Sequence, residues 1–197
     1  MRIDLVTFDG MDELDILGPL EVLRSAQSAG GVFDSRLVAR ERAGTVRGAH
    51  GIAIAVDEVF SPGADIVVVP GGGWVTRSAA GAWGEVERGD WLAPLASAAT
   101  DGAVMASVCT GALLLAHAGV IGTRRAATHH AARADLAATG AIVVHDRVVD
   151  DGDLLSCGGV TSGLDLALWM VERFASEELA EAIAANMEYV RERPTGS

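Results

Sequence analysis

The chain has 197 residues, half of them apolar, and carries a formal charge of −12 with a pI near 4.7. That is enough apolar residue for one core and one domain spanning residues 1–197, and the acidity speaks against nucleic acid and anionic membrane surfaces as partners. Two cysteines far apart in sequence make no disulfide framework, Asp4 and Asp9 break the apolar run a signal peptide needs, and no segment nears the ~20 apolar residues of a membrane span, so a cytoplasmic protein is expected.

Residues 3–8 read as a first strand, ending in the loop Asp9-Gly10-Met11-Asp12. The following helix is expected to have Pro19 in its first turn, an apolar face from Leu20, Leu23 and Ala26, and an end at Gly30-Gly31. Asp15 then sits just ahead of the helix start among Leu14, Ile16 and Leu17. A carboxylate in such company finds a partner or has its pKa raised, and the position equally suits a cap. Glu21 fits an exposed helix face.

Residues 34–39 and 51–56 predict short strands. Residues 65–69 are the clearest central strand, a β-branched run too continuous to leave one face in water. It opens into Pro70-Gly71-Gly72-Gly73. Glycines there either make a plain tight turn or let other groups approach the backbone and leave N–H groups free for a ligand. No Gly-Lys-Ser/Thr follows, so this is not a phosphate-binding P-loop.

Residues 90–99 predict a helix with Pro94 in its first turn, and residues 104–108 a buried strand that turns directly into a helix through Cys109-Thr110-Gly111. A thiol at a helix start meets unpaired N–H groups and the positive end of the helix dipole, conditions that lower its pKa and supply thiolate. The position also suits a buried structural cysteine. Beyond a turn at 119–125, the pattern predicts an extended piece over 126–130, a short helix over 131–139 and a strand over 142–146. A hairpin follows, 147–149 with 154–156, around an acidic turn that lacks the spacing of a calcium loop. Cys157-Gly158-Gly159-Val160-Thr161-Ser162-Gly163 leads into a long helix over 164–174; its glycines fit close packing of a helix start, and Cys157 a small buried side chain. Ser176 caps a last helix reaching about residue 189, and 191–197 read as a loose tail.

Strands alternating with helices predict an α/β fold, a doubly wound, mostly parallel sheet sandwiched by helices. Sites in such sheets form at the carboxyl ends of strands. If the parent strands of the loops at 9–18, 70–73 and 109–110 are neighbours, Asp15, the Gly72 amide and Cys109 converge.

In chain order, an acid four residues before a proline, Val-Val-Val-Pro-Gly-Gly, Ser-Val-Cys-Thr-Gly-Ala, Ala-Thr-His and Gly-Gly-Val-Thr-Ser-Gly resemble the DJ-1/PfpI, or class I glutamine amidotransferase-like, superfamily over nearly the whole chain. The resemblance implies a flavodoxin-like fold and a homodimer. It implies Cys109 as nucleophile on a strained elbow with Asp15 bonded to its sulfur, and amides of Gly72 and Thr110 forming an oxyanion-type pocket. It carries His129, Gly159 and Thr161 over as substrate-binding positions.

Protease-like members have His after the cysteine where this chain has Thr110, and DJ-1-like members a glutamate where it has Asp15. Aspartate with Cys-Thr-Gly is similar to the isocyanide hydratase branch. Sensor domains of AraC-type regulators share these motifs but carry a DNA-binding domain for which this sequence has no room, so an enzyme is expected. The implied reaction adds water to an isocyanide through a Cys109 thioimidate, with Thr110 helping to place the substrate and with no metal or organic cofactor. A glyoxalase- or deglycase-like activity using His129, and a cysteine redox sensor, are the alternatives. His117 reads as a packed or capping residue, His130 and His145 as surface residues.

Overall fold

The β-branched run at residues 66–69 lies at the middle of a seven-stranded sheet in the computed structural model, which describes residues 1–194. Strand β1 (Arg2–Val6) leads to helix α1 (Glu13–Ser28) and β2 (Asp34–Ala39). Then come β3 (Gly44–Arg47), β4 (Ala53–Val56), β5 (Glu58–Val59) and β6 (Ile66–Val69). Helices α2 (Ala82–Arg88) and α3 (Leu92–Thr100) precede β7 (Val104–Ser107) and α4 (Gly111–His117). Next are β8 (Arg125–Ala126), a 3-10 turn (His130–Ala132), α5 (Arg133–Ala138), β9 (Ile142–Val143), β10 (Val148–Asp150) and β11 (Leu154–Cys157). Helices α6 (Ser162–Phe174) and α7 (Glu177–Asn186) follow.

The main sheet runs β10-β11-β7-β6-β1-β2-β5 and is parallel throughout except for β10, the hairpin partner of β11. Its central strands β1, β6 and β7 are buried on both faces; β6 and β7 lack polar alternation for that reason, and the buried acid of β1, Asp4, is paired with Arg36 at 2.8 Å. Helices α1, α6 and α7 pack on one another, while α2, α3 and α5 pack around α4, so the sheet is flanked by helices. The apolar core is continuous from Ile3 and Leu5 through Val67 and Met105 to Leu154 and Leu166. No helix among the described residues is long and apolar enough to cross a membrane.

Helix α1 starts earlier than its proline suggests. Asp12 caps it, accepting the Leu14 N–H at 3.1 Å, so Asp15 lies inside the first turn and Pro19 inside the helix. Pro19 has no N–H for the carbonyl four residues back, and its ring lies against α6: a Cβ on Gly163 would come within 3.2 Å of Pro19 Cγ. Residues 53–56 pair with the unforeseen strand β3 in a separate antiparallel hairpin, not with the main sheet. Their alternating exposure suits a hairpin with one wet face. Helix α2 escapes a sequence reading because it begins at Gly81 without a side-chain cap and contains Gly84. The extended pieces expected over 126–130 and 142–146 shrink to the two-residue parallel pair of β8 and β9. The last helix ends at Asn186, short of 189.

The tail is docked through residue 194. Arg191 and Arg193 pair with Glu172 at 2.6 and 3.0 Å, and the Glu192 N–H donates to Asp165 Oδ1 at 2.7 Å. Residues 195–197 of the expected loose tail lie outside the described residues.

Candidate active site

Adjacent parallel strands β1, β6 and β7 deliver their carboxyl ends side by side, with Ile3 opposite Ile66 and Ile66 opposite Val104. The loop after β1 carries Asp12 and the first turn of α1, the loop after β6 carries Gly71 and Gly72, and β7 runs out into Val108 and Cys109. The Val108 N–H still donates to Val69 O at 3.0 Å and the Cys109 N–H to Gly158 O at 2.9 Å, so the chain stays tied to both neighbours while it reverses. Cys109 makes that reversal at φ 57°, in the left-handed region. A non-glycine residue there costs about 1–2 kcal/mol, a strain held by the surrounding bonds, including the Thr128 hydroxyl donating to Cys109 O at 2.8 Å.

Asp15 is 0% exposed and Cys109 6%. Asp15 Oδ2 accepts the Gly71 N–H at 2.8 Å; Oδ1 has no conventional hydrogen-bond partner among the described residues, and the Cys109 thiol faces the carboxyl. Gly72 has a different partner from the expected one: its N–H donates to Thr110 Oγ1 at 3.0 Å. The amide on the acid is thus Gly71's. Only glycine fits there, since a Cβ would stand 2.4 Å from both the nitrogen and the hydroxyl of Thr110.

Burial pushes the Asp15 carboxyl up to about 8, with the charge of Asp12 adding to it and the bonds from Gly71 and Cys109 opposing it. Burial, then the Asp15 charge, push the Cys109 thiol up to about 12, against the N–H groups of Val160 and Thr110. The helix start was expected to lower the thiol pKa; desolvation and the neighbouring acid outweigh it, α4 being only seven residues long. The Asp15 charge is absent while Asp15 holds its proton. At neutral pH the acid therefore holds its proton beside a thiol that is also protonated, while two backbone amides favour the thiolate once it forms.

Val160 was missed by sequence reasoning. Its backbone sits at φ 44°, a conformation no β-branched residue advertises, and turns its N–H toward the Cys109 sulfur. Gly159 meets His129, whose Cδ2 would lie 2.5 Å from a glycine Cβ. The Ala131 N–H donates to His129 Nδ1 at 3.3 Å, which leaves the ring proton of the neutral imidazole on Nε2. Thr161 stands apart: it is exposed, and its hydroxyl accepts from Arg147 at 2.9 Å. Glu21 is exposed on α1, and His117 donates its Nδ1–H to Leu113 O of its own helix at 2.8 Å. Cys157 is fully buried and a free thiol, as is Cys109.

A cavity of about 570 Å3 ends on Thr128, His129 and residues 158–160 and does not itself border Cys109 or Asp15. A larger one, about 800 Å3, lies over β1 and β2 between Phe8, Arg40 and Trp91 and borders neither Cys109 nor Asp15. Asp12, Glu13 and His50 bring three potential metal-ligand atoms within 4.8 Å of one another, but Glu13 there already accepts from the His50 and Ile52 amides, at 2.8 and 3.2 Å.

The DJ-1/PfpI family model matches residues 1–173. An isonitrile hydratase of Pseudomonas putida is 32% identical over 199 residues, covering all of this chain and 82% of that protein. A deglycase of Thermococcus kodakarensis is 30% identical, covering 87% of this chain and 96% of its own. The crystal structure of a ThiJ/PfpI family protein from Pseudomonas syringae superposes with a TM-score of 0.86 at 28% identity, over 99% of this chain and 77% of that one.

Proposed function

The chain belongs to the DJ-1/PfpI family, and from that premise we propose that it is an isocyanide hydratase, adding water to an isocyanide to release an N-substituted formamide. The observation that carries this reading is a buried carboxyl, raised to about 8, set against a strained cysteine. The relative of that name, similar along the whole chain, supports it.

An isocyanide has an electrophilic terminal carbon that becomes basic once a nucleophile adds. The Cys109 sulfur forms a bond to that carbon, and the proton shared with Asp15 moves from the carboxyl onto it, giving a thioimidate with a new C–H bond. The Asp15 carboxylate then takes a proton from water as its oxygen attacks the same carbon. Asp15 passes that proton to the nitrogen, the C–S bond breaks as the adduct's hydroxyl gives up its own proton to form the carbonyl, and that proton returns to the Asp15–Cys109 pair as the formamide leaves. Thr110 Oγ1 accepts from Gly72 and so keeps its own O–H to orient the substrate. The Gly72 amide thus acts through Thr110, and the Thr110 N–H favours the thiolate.

The carbonyl alternative needs His129 as a base toward the substrate. Its lone pair is engaged by Ala131, which favours hydratase over glyoxalase or deglycase chemistry. A redox-sensor role asks for a low-pKa thiol, and burial acts against that. The proposal includes a homodimer acting on a small molecule in the cytoplasm, where free thiols persist, with no part for nucleic acid or membrane.

Turnover of an aryl isocyanide to its formamide tests the reading. Cys109→Ala is expected to abolish it and Asp15→Ala to lower it by about 10²–10⁴-fold, the worth of a general acid. No turnover by folded wild type across small and bulky isocyanides would overturn the assignment.

A further inference from the structure

Thr161 occupies the N-cap position of α6 but does not cap it. A threonine there ordinarily accepts an amide of the first turn and so steadies the helix start. Here the hydroxyl accepts from Arg147 Nη2 at 2.9 Å instead, on the residue that directly follows the strained Val160. The same arginine holds the other end of that segment. The Gly158 N–H donates to Arg147 O at 3.0 Å, and Gly158 O accepts the Cys109 N–H at 2.9 Å. Residues 158–161 are thus bracketed by the backbone and the side chain of one residue, with Val160 between them at φ 44° and its N–H toward the sulfur.

Arg147 is itself fixed. Its Nε donates to Asp165, fully buried in the first turn of α6, and its Nη2 also donates to Tyr189 Oη at 3.1 Å. Asp165 accepts from that hydroxyl at 2.8 Å and from the Glu192 N–H at 2.7 Å. The bonds the strained segment makes within itself are turn bonds, from the Ser162 N–H to Gly159 O at 3.0 Å and from the Gly163 N–H to Val160 O at 3.2 Å. A β-branched residue in the left-handed region is a genuine outlier, which persists only where the surroundings hold it.

We infer that Thr161 is a positioning residue for the nucleophile: seated on Arg147, its hydroxyl keeps Val160 in the strained turn and so keeps the Val160 N–H on the Cys109 sulfur. The inference rests on Cys109 being the nucleophile of the proposed reaction and on nothing about the substrate. It gives the exposed Thr161 a part other than the substrate binding that resemblance carries over to it. Without the hydroxyl, Arg147 keeps Asp165 and Tyr189, so the ion pair of the fold survives while Val160 relaxes.

Thr161→Val removes the acceptor and keeps the shape. Cys109 is alkylated with iodoacetamide near neutral pH and the modified peptide is followed by mass; the sulfur bonds to the methylene carbon, iodide leaves, and the thiol proton goes to solvent. Taking one amide from the thiolate raises the thiol pKa by about one unit and thins the thiolate about tenfold, while the more basic sulfur gains about threefold in nucleophilicity. The rate in Thr161→Val is therefore expected to fall about threefold. Thr161→Ser, which retains the hydroxyl, should react at the wild-type rate, and the urea midpoint should be the same in wild type and both variants. Toward an isocyanide, Thr161→Val should lower kcat and leave KM unchanged. An unmoved alkylation rate in Thr161→Val, a serine variant as slow as the valine one, or a slower rate accompanied by a lowered urea midpoint would overturn the inference. A raised KM with wild-type alkylation would overturn it too and return Thr161 to substrate binding. Formamide from no isocyanide would remove the hydratase reading, with alkylation still deciding the part of Thr161.

Discussion

The buried acid makes the stability of the fold depend on pH in a direction opposite to most carboxylates. Folded Asp15 keeps its proton to about 8, whereas the unfolded chain gives it up near 3.8. Between those values the native state binds more protons than the unfolded one, so the contribution of Asp15 is fully present below the unfolded value and is lost as pH rises through the folded one. Each pH unit in that window costs about 1.36 kcal/mol. From about pH 5 to about pH 7.5 the loss amounts to about 3 kcal/mol, a large part of the 5–15 kcal/mol typical of a folded domain. Asp15→Asn removes the titration and keeps the shape, its amide oxygen still accepting the Gly71 N–H and its NH₂ facing the thiol. The thiol stays protonated in both states over this range, because its ordinary value is 9.0 and burial raises it further. Urea unfolding of wild type and Asp15→Asn at the two pH values is the assay, since all other titrations cancel in the difference. The variant should gain about 3 kcal/mol on wild type between the two conditions. Stability curves that stay parallel would refute the burial argument and with it the neutral, proton-donating acid.

If the reactive form is the pair with one proton between Asp15 and Cys109, kcat/KM for an isocyanide rises with pH through about 8, and a profile flat from neutral to mildly alkaline pH contradicts it. Cys109→Gly should be more stable than Cys109→Ala by about 1 kcal/mol in chemical denaturation, because only glycine adopts φ 57° without strain; the usual order, with alanine the more stable, would count against a strained elbow. Gly71→Ala pushes a methyl to 2.4 Å from Thr110 and is expected to abolish turnover, whereas Gly44→Ala, with open space around it, should leave turnover intact. Arg147→Met strips the fully buried Asp165 of its cation and should cost about 3–5 kcal/mol, read as a lowered denaturation midpoint.

The elements near the site were largely legible in the amino-acid order. The β-branched run at 66–69, the small-residue strand into Cys109 and the hairpin before Cys157 are local patterns, in which side-chain shape and period act within a few residues. The same holds for the sharp turn at Cys109-Thr110-Gly111 and for an acid held near the start of the first helix. Helix α1 was misread at its start because two local signals competed, and the Asp12 cap prevailed over Pro19.

What the sequence alone determined is therefore which chemical groups leave the ends of the central strands: a thiol, a carboxyl and a run of glycine amides. Only the tertiary structure decided their relations. That Gly71 rather than Gly72 binds Asp15, that the Val160 N–H reaches the sulfur, and that Thr161 turns away to Arg147 depend on how closely loops from separate strands approach. The direction of the thiol's pKa was settled there as well. A helix start is a local feature, but desolvation is imposed by everything packed around Cys109, and in this protein the surroundings prevail.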